Sequence, residues 1–202
     1  YGMQEKNWGY RFIEKSAIDR YKFSSTTDLG VGFSRLFIDN LNMSLQVTNG
    51  EGYKKPQGDK YHKISFNATY GERKLNKNDG YNVGVVYSTE ATDSDPTNMI
   101  SAFWGYSGMG LRLGTESDLQ TKGGAEFNIF SVSINYGVRD NIDAFFRYDM
   151  SNDNDTENKK GVNYLIAGII LNCGSGLTVA PNMRMISYED SSIAVENEYK
   201  IN

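Results

Sequence analysis

Strand-like segments joined by connections of alternating length most constrain the fold of this 202-residue chain. Tight turns are predicted at four places: Asp39-Asn40, Ser107–Gly110, Asp140-Asn141 and Cys173–Gly176. Long polar stretches separate them, at residues 49–60, 89–98, 115–124 and 151–160. When every second connection is long, the long loops gather at one end of the sheet and the tight turns at the other. That asymmetry is typical of a transmembrane β-barrel.

Apolar and small polar residues alternate within the strand-like segments. In residues 127–138, Phe130 and Val132 share one face, while Ser131 and Ser133 lie on the other. A period of two predicts strands with one apolar and one wet face. The same pattern recurs in residues 41–48, 64–70, 81–87 and 142–150. About eleven strands are predicted from residue 26 onwards, and residues 6–13 are a candidate twelfth.

The apolar face is expected to point outward. About a dozen strands enclose an interior too wide for side chains to fill, so the interior should be wet. The wet face carries Gly, Ser, Asn and Thr rather than Lys and Glu, and the longest apolar run, residues 165–171, is too short for a spanning helix. The fold predicted for residues 1–202 is therefore a single all-β domain. It would be an antiparallel up-and-down transmembrane β-barrel of about 12 strands, complete or part of a larger barrel.

Aromatic residues crowd the predicted strand ends. Girdles of amphipathic rings at two lipid–water boundaries would produce this distribution, whereas turn-flanking tyrosines of an ordinary β-sandwich are the alternative. The residues are Phe37, Tyr70, Tyr81, Tyr87, Tyr106, Tyr136, Tyr148, Tyr164 and Tyr199.

Composition and motifs exclude several other classes. The net charge is −4 and no basic stripe is present, so nucleic acid is not an expected partner. We find no P-loop, zinc spacing or dinucleotide fingerprint and predict no cofactor. Cys173 is the single cysteine, which rules out an intramolecular disulfide. The run Asp153–Glu157 has alternating oxygen ligands but lacks the glycine and distal glutamate of a calcium loop, which favours a solvated loop tip.

Five short segments carry a family resemblance: TTDLGVGF (26–33), VTNGEGY (47–53), FFRYD (145–149), APNMRM (180–185) and AVENEYKI (194–201). They resemble the C-terminal portion of bacterial outer-membrane porins, in particular phosphate-selective-porin-like proteins. The chain departs from that family by ending in Ile201-Asn202 instead of an aromatic residue. It also has about half the usual length, and no segment matches a basic constriction loop, so a phosphate preference does not carry over.

The resemblance implies a bacterial outer-membrane location. Membrane lipid, lipopolysaccharide and small hydrophilic solutes or ions are the implied partners, with a homo-oligomer as an option. The predicted function is passive diffusion through a channel, without enzymatic activity.

Charged residues on the wet face are the predicted pore-lining residues. Such side chains bias which ions pass through a narrow lumen, while the alternative is that they pair across strands and only solvate the wall. Their mixed signs argue against strong selectivity. They are Arg112, Glu116, Asp143, Arg147, Asp149, Arg184, Glu196, Glu198 and Lys200.

Two other functions stay open at this stage. The first is a barrel hydrolase, a phospholipase or protease acting at the cell surface. It would depend on His62, the only histidine, with Asp59 near it and Ser65 close in sequence but on the opposite strand face. The second is a closed barrel that serves a structural or adhesive role through its loops.

Overall fold

The computed structural model describes residues 2–25, 27–52, 56, 58–93, 95–152, 161–190 and 192–202. Two short helices, α1 (Gly2–Trp8) and α2 (Ala17–Arg20), precede the strands. No helix in these ranges combines the length and the apolar character needed to cross a membrane. The strands are β1 (Gly30–Ile38), β2 (Leu41–Thr48), β3 (Lys63–Gly71), β4 (Gly80–Glu90), β5 (Thr97–Gly108), β6 (Leu111–Lys122), β7 (Ala125–Arg139), β8 (Ile142–Ser151), β9 (Val162–Gly174), β10 (Leu177–Val179), β11 (Pro181–Tyr188) and β12 (Glu196–Ile201).

The strands form one antiparallel up-and-down sheet, which confirms the all-β class. Each strand pairs with its neighbours in the chain, in the order β1 to β9, then β11 and β12. Both β10 and β11 pair with the same edge of β9, β10 with residues 171–174 and β11 with residues 162–168. The two short strands therefore occupy one position, and the sheet has eleven positions. Within the described residues β1 pairs only with β2 and β12 only with β11, and the sheet is not closed.

The candidate strand at residues 6–13 is wrong, because the chain is helical to Trp8 and then turns. Helix α1 buries Met3, Gln4, Asn7 and Trp8. That spacing of three and four residues places the four side chains on one helical face. A period of two is absent there.

The tight turns are confirmed at residues 39–40, 109–110, 140–141 and 175–176, which define the turn end of the sheet. The opposite end is the loop end, with connections at residues 49–62, 91–96 and 189–195. The asymmetry has one exception at each end. The long β3–β4 connection of residues 72–79 lies at the turn end, and the two-residue connection at 123–124 lies at the loop end. The stretch 151–160 lies almost wholly outside the described residues, as does the run Asp153–Glu157.

The predicted loop at residues 115–124 is wrong. Strand β6 continues to Lys122, and Gly123-Gly124 form a two-residue turn with φ of 57° and 77°. Two consecutive residues with positive φ give the hairpin turn whose twist matches its strands, and glycine adopts that conformation without steric cost. The charged and polar residues of β6 had suggested a loop, but Glu116, Asp118 and Gln120 are buried on a polar inner face.

The sheet exposes its apolar face and buries its polar one, as the sequence predicts. On β4 the side chains of Val83, Val85 and Tyr87 are 46–48 % exposed, whereas Asn82 and Ser88 are at most 1 % exposed. We call the buried polar side the inner face and the exposed apolar side the outer face. A sheet of a water-soluble protein has the reverse polarity, since its apolar face packs on the core.

The outer-face aromatics lie toward the two ends of the strands. Tyr81 lies at the turn end of β4 and Tyr87 near its loop end. Six residues of strand correspond to about 20 Å. Tyr164 is the exception, because it is 1 % exposed on the inner face and cannot belong to an outer girdle. Its neighbours Ile166 and Ile170 also point inward, where apolar residues of the N-terminal part contact them.

Candidate functional site

Residues 2–25, which we call the N-terminal segment, lie across the inner face of the sheet. Apolar residues fix the segment at two places. Met3, Ala17, Ile18 and Phe23 pack against strands β4, β5 and β7, while Trp8 and Ile13 pack against β8 and β9. Burial of these side chains drives the segment onto a face that is otherwise polar.

Polar side chains of the segment pair with inner-face residues. Gln4 Nε2 donates to Ser101 Oγ at 3.0 Å. The amides of Asn7 and Asn82 donate to each other, both at 2.9 Å. These residues are buried, so each pair compensates the loss of hydrogen bonds to water.

Three inner-face arginines bind backbone carbonyls of the segment. Arg112 Nη2 donates to the carbonyl of Trp8 at 3.2 Å, and Arg184 Nη2 donates to that of Ile13 at 2.7 Å. Arg147 Nη1 donates to the carbonyl of Lys15. The stretch between α1 and α2 lacks a helical ladder for its carbonyls, and buried carbonyls need donors from elsewhere. The arginines therefore hold this stretch in place.

A buried ion pair lies under the segment. Arg147 Nε and Nη2 donate to the two carboxylate oxygens of Asp149 at 2.8 and 2.6 Å, and both side chains are at most 1 % exposed. Ser131 Oγ also donates to Asp149, at 2.6 Å. Glu116 accepts the backbone N–H of Ala17 at 3.1 Å, at the beginning of α2. A carboxyl oxygen there accepts the hydrogen of an N–H that the helix leaves free.

The predicted pore-lining residues fall into two groups. Four of them hydrogen-bond to the segment, namely Arg112, Glu116, Arg147 and Arg184, and Asp149 is buried beside Arg147. Asp143 is partly buried beside Tyr10, whose Oη lies 3.5 Å from its carboxylate. The structure does not bring all nine into one site, and their role in a lumen stays a prediction.

An open cavity of about 450 Å³ lies between α2 and the β12 edge. Arg184 and the charged β12 residues Glu196, Glu198 and Lys200 line it, together with Arg20 of the segment. Glu198 and Lys200 pair at 2.9 Å with side chains about half exposed. Four of the nine predicted residues therefore meet in one polar space.

A second open space runs along the other side of the segment, over β1 to β4. Three cavities of about 330, 220 and 340 Å³ adjoin there. The first cavity lies at the loop end and has the lining residues Gly2, Gln46 and Ser65 in common with the second. The third cavity lies at the turn end and has Arg73 in common with the second. We call these three neighbouring cavities together the β2–β3 groove.

Small amides and hydroxyls line the middle of the β2–β3 groove. Sequence reasoning had placed them on the wet face but selected only charged residues as site candidates. The wall residues are Asn42, Ser44, Gln46, Ser65 and Asn67, with Lys6 and Arg73 beside them. Lys6 was missed because residues 6–13 were expected to form a strand, whereas it projects from α1.

Ionisable groups of the segment have shifted pKa values. Burial raises the pKa of Tyr21 to about 12, and the nearby charge of Asp149 adds to this. Burial also lowers the pKa of Lys6, and so do the positive charges of Arg73 and Lys74. The packing of Tyr21 against the sheet therefore stabilises the neutral form of its phenol.

Other chemistries find less support in the described ranges. No group of three or more metal-ligating side chains occurs there. His62 is exposed just before β3, while Ser65 is 8 % exposed on the inner face. The hydrolase alternative stays a prediction.

A scan of the chain against protein-family models found no match, and a search of curated proteins found no relative. The resemblance to porins therefore depends on the quoted segments alone.

Proposed function

We propose that the chain forms the wall of an outer-membrane β-barrel porin, a passive channel for small hydrophilic solutes or ions. The observation that carries the proposal is the inverted polarity of the sheet. Among the residues that the structure describes, thirty large apolar side chains are exposed, most of them on the outer face, while serines, asparagines and charged residues are buried inside. A continuous apolar surface of this extent is unfavourable in water and favourable against lipid.

The backbone arrangement suits the same environment. In hydrocarbon every backbone N–H and C=O must be satisfied within the protein, and antiparallel strands achieve this along β2 to β11. The outer-face tyrosines near both strand ends match the aromatic girdles of such barrels. Closing the sheet into a barrel is part of the proposal.

The β2–β3 groove is the proposed route for solutes. Its three cavities follow one another from the loop end to the turn end, and neutral hydrogen-bonding side chains line the middle one. Hydrated solutes can exchange water for these groups without a strong binding step, which passive conduction requires. The N-terminal segment narrows the route by filling the space over β5 to β9.

Single-channel recording in planar bilayers tests the proposal. Purified protein is expected to give discrete conductance steps, and vesicle-swelling assays with neutral sugars of increasing size should define a cutoff. Absence of conductance at every voltage, from protein whose strands are shown to be folded, would contradict the channel and favour the structural barrel. Hydrolysis of lipid or peptide that disappears in His62→Ala, with conductance retained, would support the hydrolase instead.

A further inference from the structure

The two free edges of the sheet run in the same direction. Strand β1 begins at Gly30 near the loop end and reaches the 39–40 turn after Ile38. Strand β12 ends at Ile201, which pairs with Pro181 at the turn end of β11. Both strands therefore run from the loop end to the turn end, as the first and last of eleven positions must in an up-and-down sheet.

Direct pairing of β1 with β12 would create a parallel seam. Bacterial single-chain barrels have antiparallel strands in even number, whereas this sheet has eleven positions. A free edge also leaves a row of backbone groups unpaired, and in hydrocarbon each such group costs several kcal/mol. Each edge therefore needs an antiparallel partner.

A second copy of the chain cannot supply that partner. All copies insert with their loop ends on the same side of the membrane, so β1 and β12 of every copy run in the same direction. Any edge-to-edge contact between copies would again be parallel. The partner must contain strands of the opposite direction.

We infer that an odd number of further β-strands of the same polypeptide closes the barrel between β12 and β1. In the smallest case one strand runs from the turn end to the loop end and pairs with both edges. This inference rests on the proposed membrane function, because only a lipid environment makes closure obligatory. Strand direction excludes a second copy, and in a single-chain barrel the remaining source is the same polypeptide.

The chemistry of the missing strands follows from the edges. Val31 and Phe33 on β1 and Tyr199 on β12 lie on the outer face, so the partner strands should be apolar on that side. On the inner face the β12 edge presents Glu196, Glu198 and Lys200, all accessible to polar partners. The expected strands therefore alternate apolar and polar residues like β2 to β9.

Cysteine cross-linking in cells tests the closure. In a Cys173→Ser background, Arg35→Cys or Phe37→Cys in the turn-end half of β1 is combined with Tyr199→Cys or Ile201→Cys at the turn end of β12. The control combines Phe33→Cys with Leu45→Cys, which are register partners on β1 and β2 and lie within disulfide range. We expect the control disulfide and none between β1 and β12. A β1–β12 disulfide within one chain would overturn the inference, and so would one between two chains.

The intact mass of the polypeptide extracted from the outer membrane is the second measurement. The 202 residues have a mass of 22.7 kDa. One spanning strand of 9–11 residues adds about 1 kDa, so we expect an intact mass greater than 22.7 kDa plus the mass of that strand. A mass of 22.7 kDa would overturn the inference. Conductance reports separately on the porin proposal, because a conducting barrel with a β1–β12 disulfide would refute only the inference.

Discussion

Two regions of the inner face share the same strand pattern but differ in their surroundings. Over β5 to β9 the N-terminal segment covers the wall, and Ser101 and Asp149 are fully buried. Over β2 and β3 the wall borders an open groove, where Ser44 and Asn67 are partly exposed. An inward-pointing side chain is therefore not automatically a pore-lining one. In the proposed channel, the segment of residues 2–25 would decide which part of the wall a solute can reach.

Removal of the N-terminal segment, which separates the two regions, should have the largest effect on conductance. Deleting residues 2–23 is expected to raise single-channel conductance several-fold, because it opens the space over β5 to β9 to water. Retention of the sheet is checked by circular dichroism and by the heat-dependent gel migration of folded barrels. An unchanged conductance in a folded deletion variant would show that the segment does not restrict the route.

The Arg147–Asp149 ion pair, which is buried under the N-terminal segment, should affect the free energy of unfolding more than an exposed ion pair does. Asp149→Asn leaves the Arg147 guanidinium buried without its ion-pair partner, and we expect the free energy of unfolding to fall by about 3–5 kcal/mol. The matched control is Glu198→Gln, which breaks the half-exposed pair with Lys200 and should cost less than about 1 kcal/mol. Urea unfolding in lipid vesicles measures both. Equal losses would contradict the distinction between the two regions.

Narrowing the β2–β3 groove should reduce single-channel conductance. Ser44→Trp places an indole in the cavity of about 220 Å³ beside Lys6 and Arg73. We expect conductance to fall by roughly half, since pore diameter limits passage. Leu45→Trp is the control, because its side chain is 50 % exposed on the outer face and should leave conductance unchanged. Equal conductance of the two variants would place the route elsewhere.

The smallest expected effect is an alkaline loosening of the segment. Tyr21 has a pKa of about 12 in the fold and an ordinary value of 10.0. The folded state therefore favours the neutral phenol, and its contribution is complete below pH 10 and disappears as pH rises toward 12. Tyr21→Phe should lack this component. Unfolding free energies of both proteins across that range test the difference, and identical pH profiles would contradict it.

Parity along the strands predicted most of the fold and part of the site. It placed Asn42, Ser44 and Gln46 on the wet face and Leu45 on the other, and the structure agrees. It could not foresee that Arg147 and Arg184 bind backbone carbonyls of the N-terminal segment, since those contacts join residues more than 130 positions apart. Residues 6–13 were misread as a strand because α1, a helix of seven residues that ends at Trp8, has too short a pattern to be told from a strand.

The sequence by itself determined the all-β class, the antiparallel order and the outward direction of the apolar face. These follow from local alternation and from turn residues, which act over a few positions. Only the tertiary structure decided that the inner face is half covered, that the β2–β3 groove stays open and that both free edges run the same way. Each depends on where distant parts of the chain meet, because a strand's periodicity specifies its faces but not what packs against them.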